Sequence, residues 1–553
     1  MCSLPKQLQA ALVASLAVAA LAFAAPAQAN PGDLDPTFGS GGILISDLDT
    51  AKGSSLEDLA IQPDGRTVVL ERGYSQTSHL LRYLADGTLD PSFDGDGITL
   101  IPSAIGPGDI ALQADGKILV SGFDLSGNFA VARFLSSGQI DLNFDGDSGT
   151  ANGIIHVDLT PGTDLASSIA VDGQGRIVLA GHAGSTPSTS DVGIARLLPD
   201  GRLDKSFDGD GKLVYDTVAE VRVWDVAVQG DGKVIVAAGW GSYPNVDTMV
   251  QRFAENGLPD AFGPGPSGRK IFDVGGIDQA TSVAVQPGGQ VLVGSSSSGQ
   301  DALLRLTSAG NVDTSFENGG QLPLTFQLQT IALAPDGKIV LGGWSSVDGL
   351  DAFAFQRRSA DGAPDSTFAG GLLATHRAVQ GEGSSSSATA VAPDGKIVSA
   401  GSTGYPGIRG ALMRLNGKPD PPAPPVSPPV TTGPAGDALA LSGLRITNRR
   451  FAVGRARTAR VGQAQAAARR KRGTTFVFRL SHAASVSIRI KRRAKTAAVL
   501  KRTAHAGGNR IRFSGRVGRR ALRPGRYRAT LRAVDAAGKR SKPQTVRFRI
   551  VRG

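Results

Sequence analysis

The sequence predicts an all-β protein: a seven-bladed β-propeller built from four-stranded antiparallel blades, followed by a small β-sandwich. Three observations predict it. A paired motif recurs seven times at a spacing near 55 residues. Glycine (73) and proline (31) are abundant in the 553 residues, as turn-rich β folds require. Hydrophobic residues make up 41% and fall in short alternating runs with no helical period. The one cysteine, Cys2, excludes a disulfide scaffold, a thiolate zinc site and an iron–sulfur cluster. Six scattered histidines are too few for most metal enzymes.

Residues 1–29 read as a secretory signal. Lys6 supplies the positive start, and Ala10 to Ala25 is an apolar run shorter than the roughly 20 residues of a membrane span. Pro26 breaks the run, and Ala27-Gln28-Ala29 offers a small-x-small cleavage site. The expected mature chain begins at Asn30, secreted or extracellular and associated with the cell envelope.

The repeats occupy residues 30–417. Leu34-Asp35-Pro36-Thr37-Phe38 recurs with its aspartate at Asp90, Asp141, Asp204, Asp260, Asp313 and Asp365, and a half-copy follows at Pro419-Asp420. The fifth copy, Pro259-Asp260-Ala261-Phe262, is one residue short. A hairpin motif keeps the same beat, as in Asp64-Gly65-Arg66, Asp115-Gly116-Lys117 and Asp394-Gly395-Lys396. Such a period is the mark of a repeat architecture. In one copy Ile43 to Leu48, Leu56 to Ile61, Thr67 to Leu70 and Leu80 to Leu84 read as four strands, with Pro63-Asp64-Gly65 turning the chain. Radial repetition of such blades leaves few open edges.

An arginine stands in each fourth strand. Arg82, Arg133, Arg196, Arg252, Arg305 and Arg357 each precede the motif aspartate by eight residues, giving Arg82–Asp90, Arg133–Asp141, Arg196–Asp204, Arg252–Asp260, Arg305–Asp313 and Arg357–Asp365 as structural pairs. A planar guanidinium suits bidentate pairing with a carboxylate that fixes the crossover between blades. Asp35 has no upstream arginine, and Arg414 has its next aspartate only six residues on. The segment Asp35–Phe38 is therefore expected to dock on the last blade and close the ring.

These motifs resemble the bacterial delta-60 repeat family over residues 32–420. The resemblance implies a propeller-like fold and carries no defined activity. The departures at Gln174 and Gly288, where the hairpin aspartate is missing, predict looser turns in those copies.

Residues 418–437 form a proline-rich linker: eight of the sixteen residues from Pro419 to Pro434 are proline. Beyond it, residues 438–553 alternate with period two, with strands expected at Thr474 to Leu480, Ser485 to Ile490, Asn509 to Phe513, Gly525 to Val534 and Gln544 to Val551. Tyr527, Ala529, Leu531 and Ala533 face inward there, and Arg526, Arg528 and Arg532 face out. This part resembles the immunoglobulin-like or fibronectin-III-like modules of exported bacterial proteins, without their inter-sheet disulfide.

Charge divides the chain sharply. Residues 436–553 hold 33 basic side chains and two acids, Asp437 and Asp535, while the rest carries a net charge of −20. Arg469, Arg470, Lys471, Arg472, Lys491, Arg492, Arg493, Arg519 and Arg520 are the expected polyanion-binding residues. Export favours an anionic cell-wall or extracellular polymer over nucleic acid, and the few aromatics argue against base stacking. The acidic propeller of the same chain is the other candidate partner.

Three turns pair acids: Asp94 with Asp96, Asp145 with Asp147, and Asp208 with Asp210. They are weak candidates for calcium, the only cofactor the pattern admits. No phosphate loop, zinc-binding histidine pair or nucleophile elbow occurs, so no catalytic residue is assigned. The histidines read as surface residues. Arg72, Phe123, His182, Trp240 and Trp344, near the ends of the third strands, vary from blade to blade and mark a rim that a ligand or protein could use. The sequence thus predicts a non-catalytic binding or scaffold protein. The alternative is a propeller hydrolase or lyase acting on extracellular glycan or lactone-like substrates.

Overall fold

A computed structural model describes residues 30–553 apart from 47, 49–52, 75–76, 145, 147–150, 185–189, 218, 264–267, 405–406, 419–439, 453–473, 482–483, 493–494, 505–506, 518–519, 535–538 and 552–553. The chain divides into two units, Met1–Pro425 and Val426–Gly553. Among the described residues no helix is long and apolar enough to cross a membrane.

The described part of the first unit contains seven four-stranded antiparallel sheets, and it is a β-propeller. Sheet 1 runs Ser54–Ile61, Thr67–Gly73, Ser78–Tyr83 and Ile98–Leu100. Its middle strands are buried on both faces, because each sheet is covered by its two neighbours. The first strands of sheets 2 to 7 begin at Ile105, Leu165, Val221, Asp278, Gln327 and Ser384. Each packs against the next, and the first strand of sheet 7 meets that of sheet 1, so the cycle closes.

The strand phase differs from the sequence reading. Ile43–Ser46 is not the first strand of sheet 1: it pairs with Arg409–Leu415 as the outermost strand of sheet 7. Every blade takes its fourth strand from beyond the next aspartate motif, and the arginines lie on third strands. A cyclic repeat reads alike in any phase, so periodicity alone cannot say where a blade begins. The turns lacking the hairpin aspartate are no looser than the rest. Gly175 and Gly289 hold φ of 80° and 83° beside 85° at Gly65, because one left-handed glycine sets the geometry.

The aspartate motif and the arginine form one repeated lock. Arg Nε lies 2.7–3.0 Å from Asp Oδ2 in Arg82–Asp90, Arg133–Asp141, Arg196–Asp204, Arg252–Asp260, Arg305–Asp313 and Arg357–Asp365. The contact is not the fork on both oxygens. Asp90 Oδ1 instead accepts the amide and hydroxyl of Ser92, and Arg82 Nη2 reaches that same hydroxyl. Nη1 crosses to the next blade: Arg82 to the Ser136 carbonyl, Arg133 to Pro199, Arg196 to Glu255, Arg252 to Ser308, Arg305 to Ala360 and Arg357 to Gly417. Each guanidinium also lies over its motif phenylalanine, 4.2–4.9 Å from the ring centre in all seven blades. In the shortened copy Arg252 Nη2 takes the Ala261 carbonyl where Ser92, Ser206, Ser315, Thr367 and Thr37 offer a hydroxyl in theirs.

Ring closure uses the same device. Arg414 Nε binds Asp35 Oδ2 at 2.8 Å, Nη2 reaches Thr37, and Nη1 crosses to the Ala85 carbonyl of sheet 1. The N-terminal segment thus supplies the lock that the seventh repeat lacks.

The second unit holds a three-stranded sheet, containing Leu441–Ile446, Thr474–Leu480 and Gly507–Phe513, and a five-stranded sheet. The latter orders Arg450–Ala452, Gln544–Val551, Gly525–Val534, Ala484–Arg492 and Lys495–Ala504. Both sheets line one core, in which Phe451, Phe476, Phe513 and Phe548 meet within 6.3 Å of one another where they stack. Tyr527, Ala529, Leu531 and Ala533 are buried there.

Breaking a buried ion pair by removing one partner costs about 3–5 kcal/mol. Arg196→Met should therefore lower the calorimetric melting temperature by several degrees. Arg196→Lys should not restore it, because an ammonium cannot reach carboxylate, hydroxyl and carbonyl in one plane. A wild-type transition in either variant would refute the lock.

Asp35 adds a pH dependence. Burial pushes its pKa up, but Lys396, Thr37 and Arg414 outweigh that and hold it at about 2 against an ordinary 3.8. A depressed carboxylate stabilises the fold above the unfolded value and loses that contribution as pH falls toward the folded one. Wild type should therefore lose stability between pH 4 and about 2, the folded value. Asp35→Asn should flatten that part of the curve.

Candidate ligand cleft and polyanion-binding face

Each blade has two unlike ends. Arg82 pairs in register with Val68, whereas Arg72 pairs with Ser78 at the opposite end of the same strands. The locks therefore gather at one end of the sheets and leave the other end free to vary.

At that variable end two adjoining clefts share Thr163 and Leu165. One, of about 670 Å³, takes Gly108 from sheet 2, His182 and Ser190 from sheet 3, and Arg222 and Trp224 from sheet 4. The other, of about 660 Å³, takes Arg72 and Tyr74 from sheet 1, and Gly106 and Phe123 from sheet 2. Tyr74 and Trp224 are each about half exposed (48% and 47%), leaving apolar surface for a ligand. Trp224 is the bulged residue of its strand, the irregularity falling between Val223 and Asp225. Arg72, Phe123 and His182 thus line the clefts. Trp240 instead lies under Arg269 (5.6 Å), and Trp344 belongs to sheet 6, away from both clefts.

The described histidines are not merely surface residues. His79 pairs with buried Glu71 at 3.0 Å, His156 with Asp124 at 2.8 Å, and His376 with the Gly32 carbonyl. His482 and His505 lie outside the described residues. His182 differs from all of these: its Nδ1 is buried without a hydrogen-bond partner. Burial, and then the positive Arg222, hold its pKa below the ordinary 6.5, with Asp164 opposing. At neutral pH it is an uncharged imidazole able to accept a proton. Arg222 itself is paired with Glu220 at 3.1 Å.

Carboxylates also gather where the first strands meet. Asp58, Asp109 and Asp225 each follow a bulge and accept an amide of the next blade: Ile110 at 2.9 Å, Ile169 at 2.8 Å and Val283 at 2.7 Å. Ser168 donates toward both Asp109 and Asp225. Burial pushes Asp225 up to about 6, and burial with the neighbouring Asp109 raises Asp58. These acids tie blade to blade. Nothing in their repetition revealed them, since sheets 3, 5 and 6 place Ser168, Ser282 and Thr330 at the same step.

Of the turn acids, Asp96 and Asp210 each cap the amide two residues on. Asp94 and Asp208 hold φ of 47° and 48°. Asp145 and Asp147 lie outside the described residues.

In the second unit the outward side of the five-stranded sheet is basic. Arg450, Arg549 and Arg526 are in register across three strands, as are Lys491, Arg528 and Arg547. Arg549, Arg526, Lys491, Arg528 and Arg547, with Arg449, line a cleft of about 510 Å³ around Tyr527 and Phe548. No acid occurs among the described residues of this unit. Like charges directly opposite on neighbouring strands destabilise a sheet. Arg492 is exposed and donates to the Pro524 carbonyl. Arg469, Arg470, Lys471, Arg472, Arg493 and Arg519 lie outside the described residues, and Arg520 falls in a short strand at Arg520–Ala521. The dense basic runs were the louder signal, whereas the two rows need the strand register to be seen.

The fold and its lock define a repeat-built β-propeller protein. Five segments match the family model "Domain of unknown function (DUF5122) beta-propeller": residues 62–93, 113–144, 175–207, 286–316 and 334–368. Each matched segment runs from the hairpin to the motif phenylalanine and so contains the arginine, aspartate and phenylalanine of one lock. Among solved structures the chain is similar to the polysaccharide lyase Uly1, at 10% identity over 66% of this chain and 90% of the other, with a TM-score of 0.39. It is also similar to an ulvan lyase described as a new polysaccharide lyase family, at 12% identity over 66% and 95%, again with a TM-score of 0.39. The same enzyme bound to -[GlcA(1-4)Rha3S]- matches at 12% identity over 71% and 95%, with the same TM-score. No curated protein matches the chain.

If Arg222 is what lowers the His182 pKa beyond burial, Arg222→Gln should raise it, as read by NMR titration of the imidazole. An unmoved titration would leave burial as the whole cause.

Proposed function

We propose that this is an exported, non-catalytic binding protein for an anionic polymer of the cell envelope or its surroundings. The observation that carries the reading is the pair of basic rows, Arg450–Arg549–Arg526 and Lys491–Arg528–Arg547, on a unit with no described acid. Such a surface gains stability when a polyanion replaces like-charge repulsion with attraction. Phe451, Phe476, Phe478, Phe513, Tyr527 and Phe548 are all buried, so no described ring of this unit is available to stack on bases. We read the unit as an immunoglobulin-like or fibronectin-III-like sandwich. The Tyr527 hydroxyl bonding back to the Arg523 carbonyl supports this. The propeller presents the adjoining clefts, where Arg72 and Arg222 stand among exposed aromatics, a combination suited to an acidic sugar chain.

The test is retention of the full chain on immobilised heparin and polygalacturonate across a salt series. Binding should fall steeply with salt, and Arg528→Gln with Arg547→Gln should make the dependence shallower by about one counterion per base removed. Retention indifferent to both salt and these changes would overturn the reading.

A second reading, a glycan lyase, is favoured by one observation: the neutral His182 lines a cleft together with Arg222. There Arg222 would neutralise a uronate carboxylate, and His182 would take the proton made acidic by it. Release of unsaturated product from a polyuronate, abolished by His182→Ala, would establish that activity. Binding without turnover favours the first reading.

A further inference from the structure

Asp247, Asp273 and Asp278 bring one carboxylate oxygen each within 4.8 Å of the other two. We propose that they form a binding site for a calcium ion. Asp273 follows the last strand of sheet 4, Arg269–Phe272. Asp247 and Asp278 open the strands Asp247–Phe253 and Asp278–Val285 of sheets 4 and 5. The loop between Asp273 and Asp278 turns through Gly275 and Gly276, both at positive φ, which folds the two acids toward each other.

Asp278 carries the argument beyond a cluster of acids. It is fully buried, and its Oδ2 accepts the Val274 and Gly275 amides at 2.5 and 3.0 Å. Its Oδ1 is buried with no hydrogen-bond partner. Other buried carboxylates at this end of the propeller are filled. Asp164 has partners on both oxygens, from Leu159, Thr160 and Gly184. Asp301 has Ser296, Ser297 and Leu328. An unmet buried carboxylate oxygen costs the full desolvation of that group unless something positive meets it. Burial and the charges of Asp273 and Asp278 raise the Asp247 pKa, as expected for acids facing one another. An all-oxygen donor set selects a hard cation. Three carboxylates of unequal exposure leave room for waters to complete the six to eight ligands of calcium, and magnesium demands a stricter octahedron.

The experiment uses the full chain freed of metal by chelation. Calcium should raise its melting temperature, and terbium should bind in calcium's place and emit on tryptophan excitation, because Trp240 is the register partner of Asp247. Asp247→Asn and Asp273→Asn lie at the rim and should each weaken calcium binding about tenfold or more. Trp240→Phe should quench terbium emission without removing the calcium-dependent thermal shift. No calcium effect on wild type would overturn the site. So would an effect unchanged in both asparagine variants, which would move calcium to turn acids such as Asp94 and Asp96.

Discussion

One guanidinium per blade organises the propeller. Each arginine enters the interior toward an aspartate carboxylate, a motif hydroxyl or carbonyl (in every blade but that of Arg133), a phenylalanine face and a backbone carbonyl of the next blade. The first three fix the crossover inside its own blade, and the fourth fixes the neighbour's turn. A buried charge is costly when under-satisfied, so this arrangement holds only when all directions are met at once. That requirement explains the hairpin motif too. Lys338, Lys396 and Arg66 bring a second cation to Asp365, Asp35 and Asp90 at 2.6–2.7 Å. Where Gln290 replaces the base, Asp313 has Arg305 as its ion-pair partner.

Much of this was legible because a charge pair repeated at a constant spacing of eight residues leaves little choice of partner. The missing arginine upstream of Asp35 likewise carried the ring closure, a long-range contact normally hidden from sequence. Other features were hidden for physical reasons. The link between the hairpin base and the motif aspartate spans 24 residues in Arg66–Asp90 and runs between strands, so only folding brings the two together. The strand Lys495–Ala504 was passed over because Thr496-Ala497-Ala498 interrupts the alternation with small residues. Asp247, Asp273 and Asp278 occupy non-equivalent steps of two repeats, and Trp224 gained its exposure from a bulge that period-two counting cannot see.

Placing all the locks at one end of the blades has a consequence for function. Residues at that end are held to a fixed chemistry by the lock, whereas the opposite end has only to start and finish strands. Glu71 with His79, Asp124 with His156, and Asp164 with Thr160 are three different solutions to the same local task there. Both adjoining clefts and the unfilled Asp278 lie at this free end. A repeat protein can in this way keep a rigid ring and still present a face that is different in every blade.

The second unit applies a different economy to its sheet. Inward positions build a phenylalanine cluster that stabilises the fold, and outward positions carry arginine opposite arginine. A surface shaped only for solubility intersperses charges of both signs, because mixed charges avoid large single-sign fields. Here Thr530 and Thr545, the pair next to Arg528 and Arg547, bond to each other at 3.1 Å, showing that neutral cross-strand pairs are accommodated on the same strands. The basic rows are therefore a choice of side chain and not a demand of the fold. On the proposed reading their cost to the isolated unit is recovered against a surface of opposite sign, and a polymer whose charges repeat along its length matches a row of three bases better than a single small anion does.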